Sequence, residues 1–291
     1  MYAQIFSIVA PILFISLLGY GWSRVKLPYD GKFVSRIVMD VGTPCLILST
    51  MQRAEIPNDS ITLLCTITLA GLAILVTLSS LVIRLTGNPI RTFLAPLTFG
   101  NTGNMGLPIA LFAFGQEGLT MALVVFMVTS MIHFSLGVSL AGGGHPLKTV
   151  ATSPVFHAAI LSLVLTYTDT TLPTSVLNTL KLLGDIAIPL MIFSLGISLH
   201  GLHARSLGRS LFFSTARLLL GLGTGFLLCE IFHLEGVLRG VILIQFAMPS
   251  AVFNYLLAAT YQRDAEEVAG VVVFSTLISF ATLPLFLWYI L

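Results

Sequence analysis

The chain has 291 residues, of which only 9% are charged and 56% are hydrophobic. A soluble domain usually carries about 25% charged residues, so this composition excludes a soluble globular protein and indicates one that is solvated by lipid. The formal net charge is +2 and no basic patch is present. This excludes a nucleic-acid partner, because nothing would neutralise the phosphates.

Ten segments are candidates for membrane-spanning helices, each of which needs about 20 mostly apolar residues. In chain order they are residues 3–22, 33–51, 60–83, 92–114, 119–140, 153–168, 175–199, 210–232, 237–260 and 267–290. The apolar runs are continuous and do not alternate, which excludes a membrane β-barrel. The connecting segments are short, so no separate soluble domain is expected. The sequence therefore predicts an all-α integral membrane protein.

Lysine and arginine are unequally shared between the two ends of these segments. If the N-terminus is outside, nine basic residues fall on the cytoplasmic side: Arg24, Lys26, Lys32, Arg84, Arg91, Lys148, Arg205, Arg209 and Arg263. Only Arg53 and Arg239 fall on the outer side. Because basic residues favour the cytoplasmic side, we expect a multi-pass protein of the cell inner (plasma) membrane with both termini outside.

A pattern of a basic residue, Asp, Pro and Ser occurs twice at the same spacing. Its members are Arg36, Asp40, Pro44 and Ser49, and then Lys181, Asp185, Pro189 and Ser194. The copies are 145 positions apart, half the length of the chain, which indicates two related halves, residues 1–145 and 146–291. Each half holds five predicted spans. Since five is odd, the second half must enter the membrane from the opposite side, an inverted repeat typical of secondary transporters.

Two of the predicted spans contain sequences that oppose a regular helix. The fourth contains FGNTGNMGLP (99–108), and the ninth contains QFAMPSAVFN (245–254) at the corresponding depth. In a helix interior, Gly costs about 1 kcal/mol and Pro about 3 kcal/mol. Paired breaks in inverted halves predict a transport site, and the helix N-termini freed there favour an anion. A small-residue packing motif or a proline kink is the alternative.

The candidate substrate-binding residues come mainly from these two tracts. They are Asn101, Gly103, Asn104, Gly106, Pro108, Gln245, Pro249 and Asn254, with Thr43 from the second span. For Gln245 and Asn254, a structural role is the alternative to contact with a ligand.

Several stretches resemble the auxin efflux carrier family of membrane transporters, in its compact bacterial form. They are GTPCLILSTM (42–51), FGNTGNMGLPIALF (99–112) with the following GQEG, AIPLMIFSLGISL (187–199) and QFAMPSAVFNYLLA (245–258). The resemblance implies two inverted five-helix repeats whose fourth and ninth spans are broken and cross near Pro108 and Pro249, as in plant auxin carriers and bile acid–sodium symporters. It further implies a scaffold of spans 1, 2, 6 and 7, a moving transport domain of spans 3–5 and 8–10, and a homodimer. The expected substrate is a small organic anion, either auxin-like or a carboxylate such as malonate or malate.

Both repeated charged pairs lie inside predicted spans, where a charge costs about 2.5–3.5 kcal/mol. Arg36 and Asp40, like Lys181 and Asp185, are four residues apart and share a helical face. An ion pair within each helix would offset the insertion cost. The functional alternative is that these pairs gate the two sides of the site or relay a proton.

Two further polar residues lie within apolar spans. Arg217, in the eighth span, has two possible roles: it offsets the charge of a substrate, or it pairs with Glu230 or a main-chain carbonyl. His133, in the fifth span, is either a packing residue or a proton carrier.

Other function classes find little support. The chain contains neither H-E-x-x-H nor G-x-S-x-G, so we predict no enzyme, no metal and no cofactor. A channel is a second alternative. The closest alternative is a cation–proton antiporter of related fold, which uses deep acidic residues near the crossing. Here the crossing carries Asn and Gly, which favours an organic anion, while coupling to H⁺ or Na⁺ stays open.

Overall fold

The computed structural model describes residues 2–53, 57–141, 150–202 and 206–291. Within these ranges the chain is helical, apart from connecting turns and one isolated antiparallel bridge between Gly100 and Ser250. The predicted boundary between the halves, at 145/146, and the basic residues Lys148 and Arg205 lie outside the described residues. The predicted all-α class is confirmed.

Thirteen helices are numbered here in chain order over the described residues. They are α1 (Tyr2–Arg24), α2 (Gly31–Arg53), α3 (Asn58–Leu85), α4 (Ile90–Thr98), α5 (Thr102–Gly137), α6 (Val138–Ala141), α7 (Pro154–Tyr167), α8 (Thr174–Gly184), α9 (Ala187–Gly201), α10 (Leu207–Ile231), α11 (Gly236–Ala247), α12 (Val252–Thr260) and α13 (Ala265–Ile290).

Seven helical segments of the described chain, with α8 and α9 counted together, are long and apolar enough to cross a membrane. The predicted fourth span is divided into α4 and the first part of α5. The predicted fifth span follows in the same long helix after Gly115, whose φ of 65° and ψ of −151° are not helical. Glycine is the residue that adopts this conformation without steric cost. The predicted sixth span is α7, which has only 14 residues.

Two sets of helices pack closely among themselves. In the first set, α1 lies along α9, and α2 lies against α7 and α8. In the second set, α10 packs on α3, α11 and α13, and α11 also packs on α5. A Cβ on Gly196 would overlap the carbonyl oxygen of Ser16, so the close approach of α1 and α9 depends on glycine.

The outer faces of the helices expose large apolar side chains. Phe6, Phe14 and Leu219 are 67%, 65% and 65% exposed. A soluble protein rarely leaves so many large apolar side chains in water, so these faces are suited to lipid.

Candidate functional site

The two breaks lie against each other. The N–H group of Asn101 donates to the carbonyl oxygen of Pro249 at 2.7 Å, and that of Ala251 donates to Phe99 at 3.1 Å. The extended residues between them form the Gly100–Ser250 bridge. Backbone groups that leave a helix at membrane depth must find other partners, and here each break supplies partners for the other.

Arg217 in α10 lies beside this crossing and is 1% exposed. Its Nε donates to the carbonyl oxygen of Met248 at 3.2 Å, and its Nη2 donates to that of Phe246 at 3.3 Å. Its Nη1 donates to the carbonyl oxygens of Leu97 at 3.1 Å and Thr98 at 3.3 Å. One guanidinium group therefore caps the carboxyl ends of both α4 and α11. Of the two roles expected for Arg217, the structure shows pairing with main-chain carbonyls.

Asn254 and His133 form a second connection to the crossing. Asn254 Nδ2 donates to the carbonyl oxygen of Phe99 and to Ser250 Oγ, both at 3.0 Å. Its Oδ1 is therefore the acceptor for His133 Nε2, 2.8 Å away. The His133 ring also stacks on that of Phe99, with the ring centres 4.2 Å apart. These contacts hold α5 and α12 to the first break.

Asn101 and Asn104 take different positions at the first break. Asn101 is 4% exposed, and its Oδ1 accepts a hydrogen bond from the N–H group of Asn104 at 3.2 Å. Its Nδ2 has no hydrogen-bond partner among the described residues. Asn104 is only partly buried and lines a large cavity. Of the nine predicted binding residues, Asn104 is the one that lines either of the two large cavities of the described chain.

The glycines of the first break permit close packing. A Cβ on Gly103 would lie 2.9 Å from the ring of Phe126, and one on Gly106 would overlap the side-chain amide of Gln245. Gln245 is 1% exposed, and neither of its amide atoms has a hydrogen-bond partner among the described residues. Pro108 is buried in the first turn after Gly106. These residues surround the crossing without lining a large cavity.

Thr43 lies near the middle of α2 and belongs to neither break tract. It is fully buried, and its Oγ1 has no hydrogen-bond partner among the described residues. It lines neither large cavity. Its predicted contact with substrate stays a prediction.

The first cavity has a volume of about 1300 Å³ and reaches the first turns of the two helices that follow the breaks. It extends from the α1–α2 connection along the first part of α2 and the last part of α9 to Asn104, Val252 and Phe253. Its charged lining residues are Lys32, Arg36 and Asp30, two positive and one negative. Asp30 Oδ1 accepts hydrogen bonds from two N–H groups at the start of α2, both at 3.0 Å. Neither basic residue forms an ion pair with any part of the described chain.

The second cavity lies towards the other end of α2 and has a volume of about 930 Å³. Its charged lining residues are Arg53, Glu117, Lys181 and Asp185, so their formal charges cancel. Lys181 Nζ and Asp185 Oδ2 are 2.6 Å apart, which confirms the expected ion pair. No residue of the two tracts 99–108 and 245–254 lines this cavity, and the extended break segments 99–101 and 248–251 line neither cavity.

The repeated pattern is divided between the two cavities. The first cavity is lined by Arg36 from the first copy and Ser194 from the second. The second is lined by Lys181 from the second copy and Ser49 from the first. Each cavity therefore combines a basic residue of one copy with the serine of the other copy.

The expected ion pair between Arg36 and Asp40 is wrong: the described chain has no contact within 4 Å between their charged groups. Arg36 lines the first cavity, whereas Asp40 is exposed and lines neither cavity. The chain between them enters a π-helical segment, Ile37–Gly42. The regular α-helical spacing on which the expectation depended therefore does not apply there.

The described ranges were also searched for side chains that could coordinate a metal ion. No group of three or more His, Cys, Asp and Glu side chains there is placed to hold a metal ion.

Known proteins resemble this chain over nearly its whole length. A sequence model of a family described as membrane transport protein matches residues 4–149 and again residues 146–287. A protein described as an uncharacterized transporter of Methanocaldococcus jannaschii is 26% identical, with 98% of each chain covered. Another, from Methanothermobacter thermautotrophicus, is 28% identical, with 95% of each chain covered. The double match and the apolar helices show that the chain belongs to the membrane transport protein family, that of the auxin efflux carriers, whose members cross the membrane several times.

Proposed function

We propose that the protein is a secondary transporter that moves a small organic anion across the membrane by alternating access. The observation that carries this proposal is the first cavity, which extends from the α1–α2 connection to the first turns of α5 and α12, next to the crossing of the two breaks. Its charged lining residues carry an excess of one positive charge, whereas those of the second cavity sum to zero.

The chemistry of the cavity's inner end supports a carboxylate. Both α5 and α12 begin at the crossing, at Thr102 and Val252, and helix N-termini favour negative charge. Asn104 contributes a neutral amide that can donate to a carboxylate oxygen. Arg36 lies further out in the same cavity. In this proposal Arg36 attracts the anion and Asn104 binds it at the crossing.

The proposed movement uses ten spans arranged as two inverted five-helix repeats, residues 1–145 and 146–291. Spans 1, 2, 6 and 7 form a scaffold, and spans 3–5 and 8–10 move as a transport domain. The double family match and the close packing of helices within each of the two sets support this arrangement. The repeat-related residues in the two cavities also support it, since an inverted repeat places equivalent residues at opposite sides.

The proposed orientation places both termini outside the cell inner membrane, so that the first cavity opens to the cytoplasm. The crossing is then reached from the cytoplasmic side. Movement of the transport domain against the scaffold would close the first cavity at the crossing and extend the second cavity to it. The proposed homodimer follows from the family resemblance alone and stays a prediction.

The test is charge movement by the purified protein in liposomes on a solid-supported membrane, across a panel of mono- and dicarboxylates that includes malonate, malate and indole carboxylates. We expect a saturable signal for at least one anion that is lost in Asn104→Ala. Asn88→Ala is the matched control, because Asn88 lies in the turn between α3 and α4, where its amide donates to the carbonyl oxygen of Thr86 at 3.0 Å. No response to any anion, together with a response to Na⁺ or pH steps, would replace this proposal with the cation–proton antiporter.

A further inference from the structure

The buried charge of Arg217 has an unusual set of partners. Its hydrogen bonds go to four main-chain carbonyl oxygens, those of Leu97, Thr98, Phe246 and Met248. Within the described ranges, no carboxylate lies within 4 Å of its guanidinium nitrogens. A fully buried charge is costly unless something compensates it, so the compensation must come from the backbone.

The helix dipoles supply this compensation. The carboxyl end of a helix carries about −0.5 of an elementary charge, so the ends of α4 and α11 together carry about −1. The guanidinium group carries +1. The charges cancel at the point where the two breaks meet, and Arg217 is the group that allows two negative helix ends to approach each other.

In membrane transporters, freed carbonyls and helix carboxyl ends at such breaks are the ligands that bind coupling cations. We propose that the guanidinium group of Arg217 is a built-in cation that fills a monovalent-cation site formed by the ends of α4 and α11. The crossing is then stabilised by a charge attached to the protein and needs no bound Na⁺ or K⁺. The consequence for coupling rests on the proposed transport function, but the stability of the crossing does not.

The surroundings of the guanidinium group indicate what its removal would leave. A small cavity of about 10 Å³ lies beside it, lined in part by Thr98 and Gln245. Thr98 Oγ1 and Gln245 Oε1 are buried without hydrogen-bond partners among the described residues. In Arg217→Ala the four carbonyl oxygens would face a space of guanidinium size. Carbonyl oxygens of this kind accept hydrogen bonds from free guanidinium and can coordinate a small monovalent cation.

The test measures the thermal unfolding midpoint of the purified protein in detergent, in choline chloride, with additions of NaCl, guanidinium chloride or urea at equal millimolar concentrations. We expect the midpoint of the wild-type protein to be the same in NaCl and in choline chloride. Arg217→Ala should unfold at a lower temperature. At about 100 times its dissociation constant, guanidinium should raise the midpoint of this variant by roughly 5–10 °C, while urea should not. Arg217→Lys keeps the charge, so its unfolding midpoint without additions should lie between those of the wild-type protein and Arg217→Ala.

Arg239→Ala is the matched control. Arg239 lies in α11, where its Nη2 donates to the hydroxyl of Tyr289 at 3.0 Å, and its loss should create no response to guanidinium. Stabilisation of the wild-type protein by Na⁺ over choline would overturn the proposal. It would also be overturned if Arg217→Met were as stable as wild type, or if urea rescued Arg217→Ala as well as guanidinium does. If no Arg217 variant can be purified, the Na⁺ titration of the wild-type protein still tests the proposal. A lack of transport signal for every anion of the panel would count against the proposed function and not against this role of Arg217.

Discussion

Gly100, at the centre of the crossing, should not tolerate even a methyl group. A Cβ at this position would overlap Arg217 Nη2 and lie 3.1 Å from the carbonyl oxygen of Met248. Gly100 is not among the described residues with positive φ, so the cost of Gly100→Ala arises from neighbours and not from backbone strain. Overpacking costs about 1–3 kcal/mol, and a lost hydrogen bond of a charged group about 1.5–3 kcal/mol. We therefore expect the free energy of unfolding to fall by about 3–5 kcal/mol.

A thiol-reactive dye can report this change, because Cys45, Cys65 and Cys229 are free and lie in helices. At about 2–4 °C for each kcal/mol, the unfolding midpoint of Gly100→Ala should fall by roughly 10 °C. The control is Gly223→Ala in α10, where a Cβ would meet no atom within 4 Å. Alanine is favoured over glycine in a helix by about 1 kcal/mol, so this variant should unfold at the same or a slightly higher temperature. Equal midpoints for the two variants would refute the reasoning.

Three further predictions use the same melting assay. Gly196→Ala should lower the free energy of unfolding by about 1–3 kcal/mol, because its Cβ would overlap the main chain of α1; an unchanged midpoint would contradict this close packing. The side chains of Lys181 and Asp185 are 49% and 54% exposed, so a double-mutant cycle should give a coupling of only about 0.2–1 kcal/mol. A transport defect in Asp185→Asn at an unchanged midpoint would then support gating, and normal transport would oppose it. Asn254→Leu should cost about 2–5 kcal/mol, more than His133→Phe, because it leaves more buried polar groups unpaired, and the reverse order would disprove this assignment.

The positions of the breaks could be predicted from the sequence because their cause is local. Glycine, asparagine and proline oppose a helix wherever they occur, and the chain leaves the helical conformation at 99–101 and 248–251, inside both predicted tracts. Gly115 marks a bend for the same reason, at the predicted boundary between the fourth and fifth spans. The number of spans is harder to predict than the position of the breaks, because hydropathy does not distinguish a bent helix from two helices.

The partners of Arg217 could not be predicted, because main-chain carbonyls have no residue identity to recognise. The signal that was available is chemical: Arg217 is the single basic residue of the predicted eighth span, 210–232. Such a residue must find carbonyls, a substrate or a distant acid. The link between His133 and Asn254 was missed for a related reason, since these residues are 121 positions apart and no sequence pattern relates them.

The two breaks differ in which of their asparagines reach a cavity. Asn104 belongs to the first break and reaches the first cavity, whereas its counterpart in the second half of the chain is Pro249, which accepts a main-chain hydrogen bond. Asn254 belongs to the second break, and its three hydrogen bonds are all internal. In the proposed transporter, the first break therefore meets the ligand while the second fixes the geometry of the crossing. A binding site with only approximate two-fold symmetry is the expected result, although each break donates one main-chain hydrogen bond to the other.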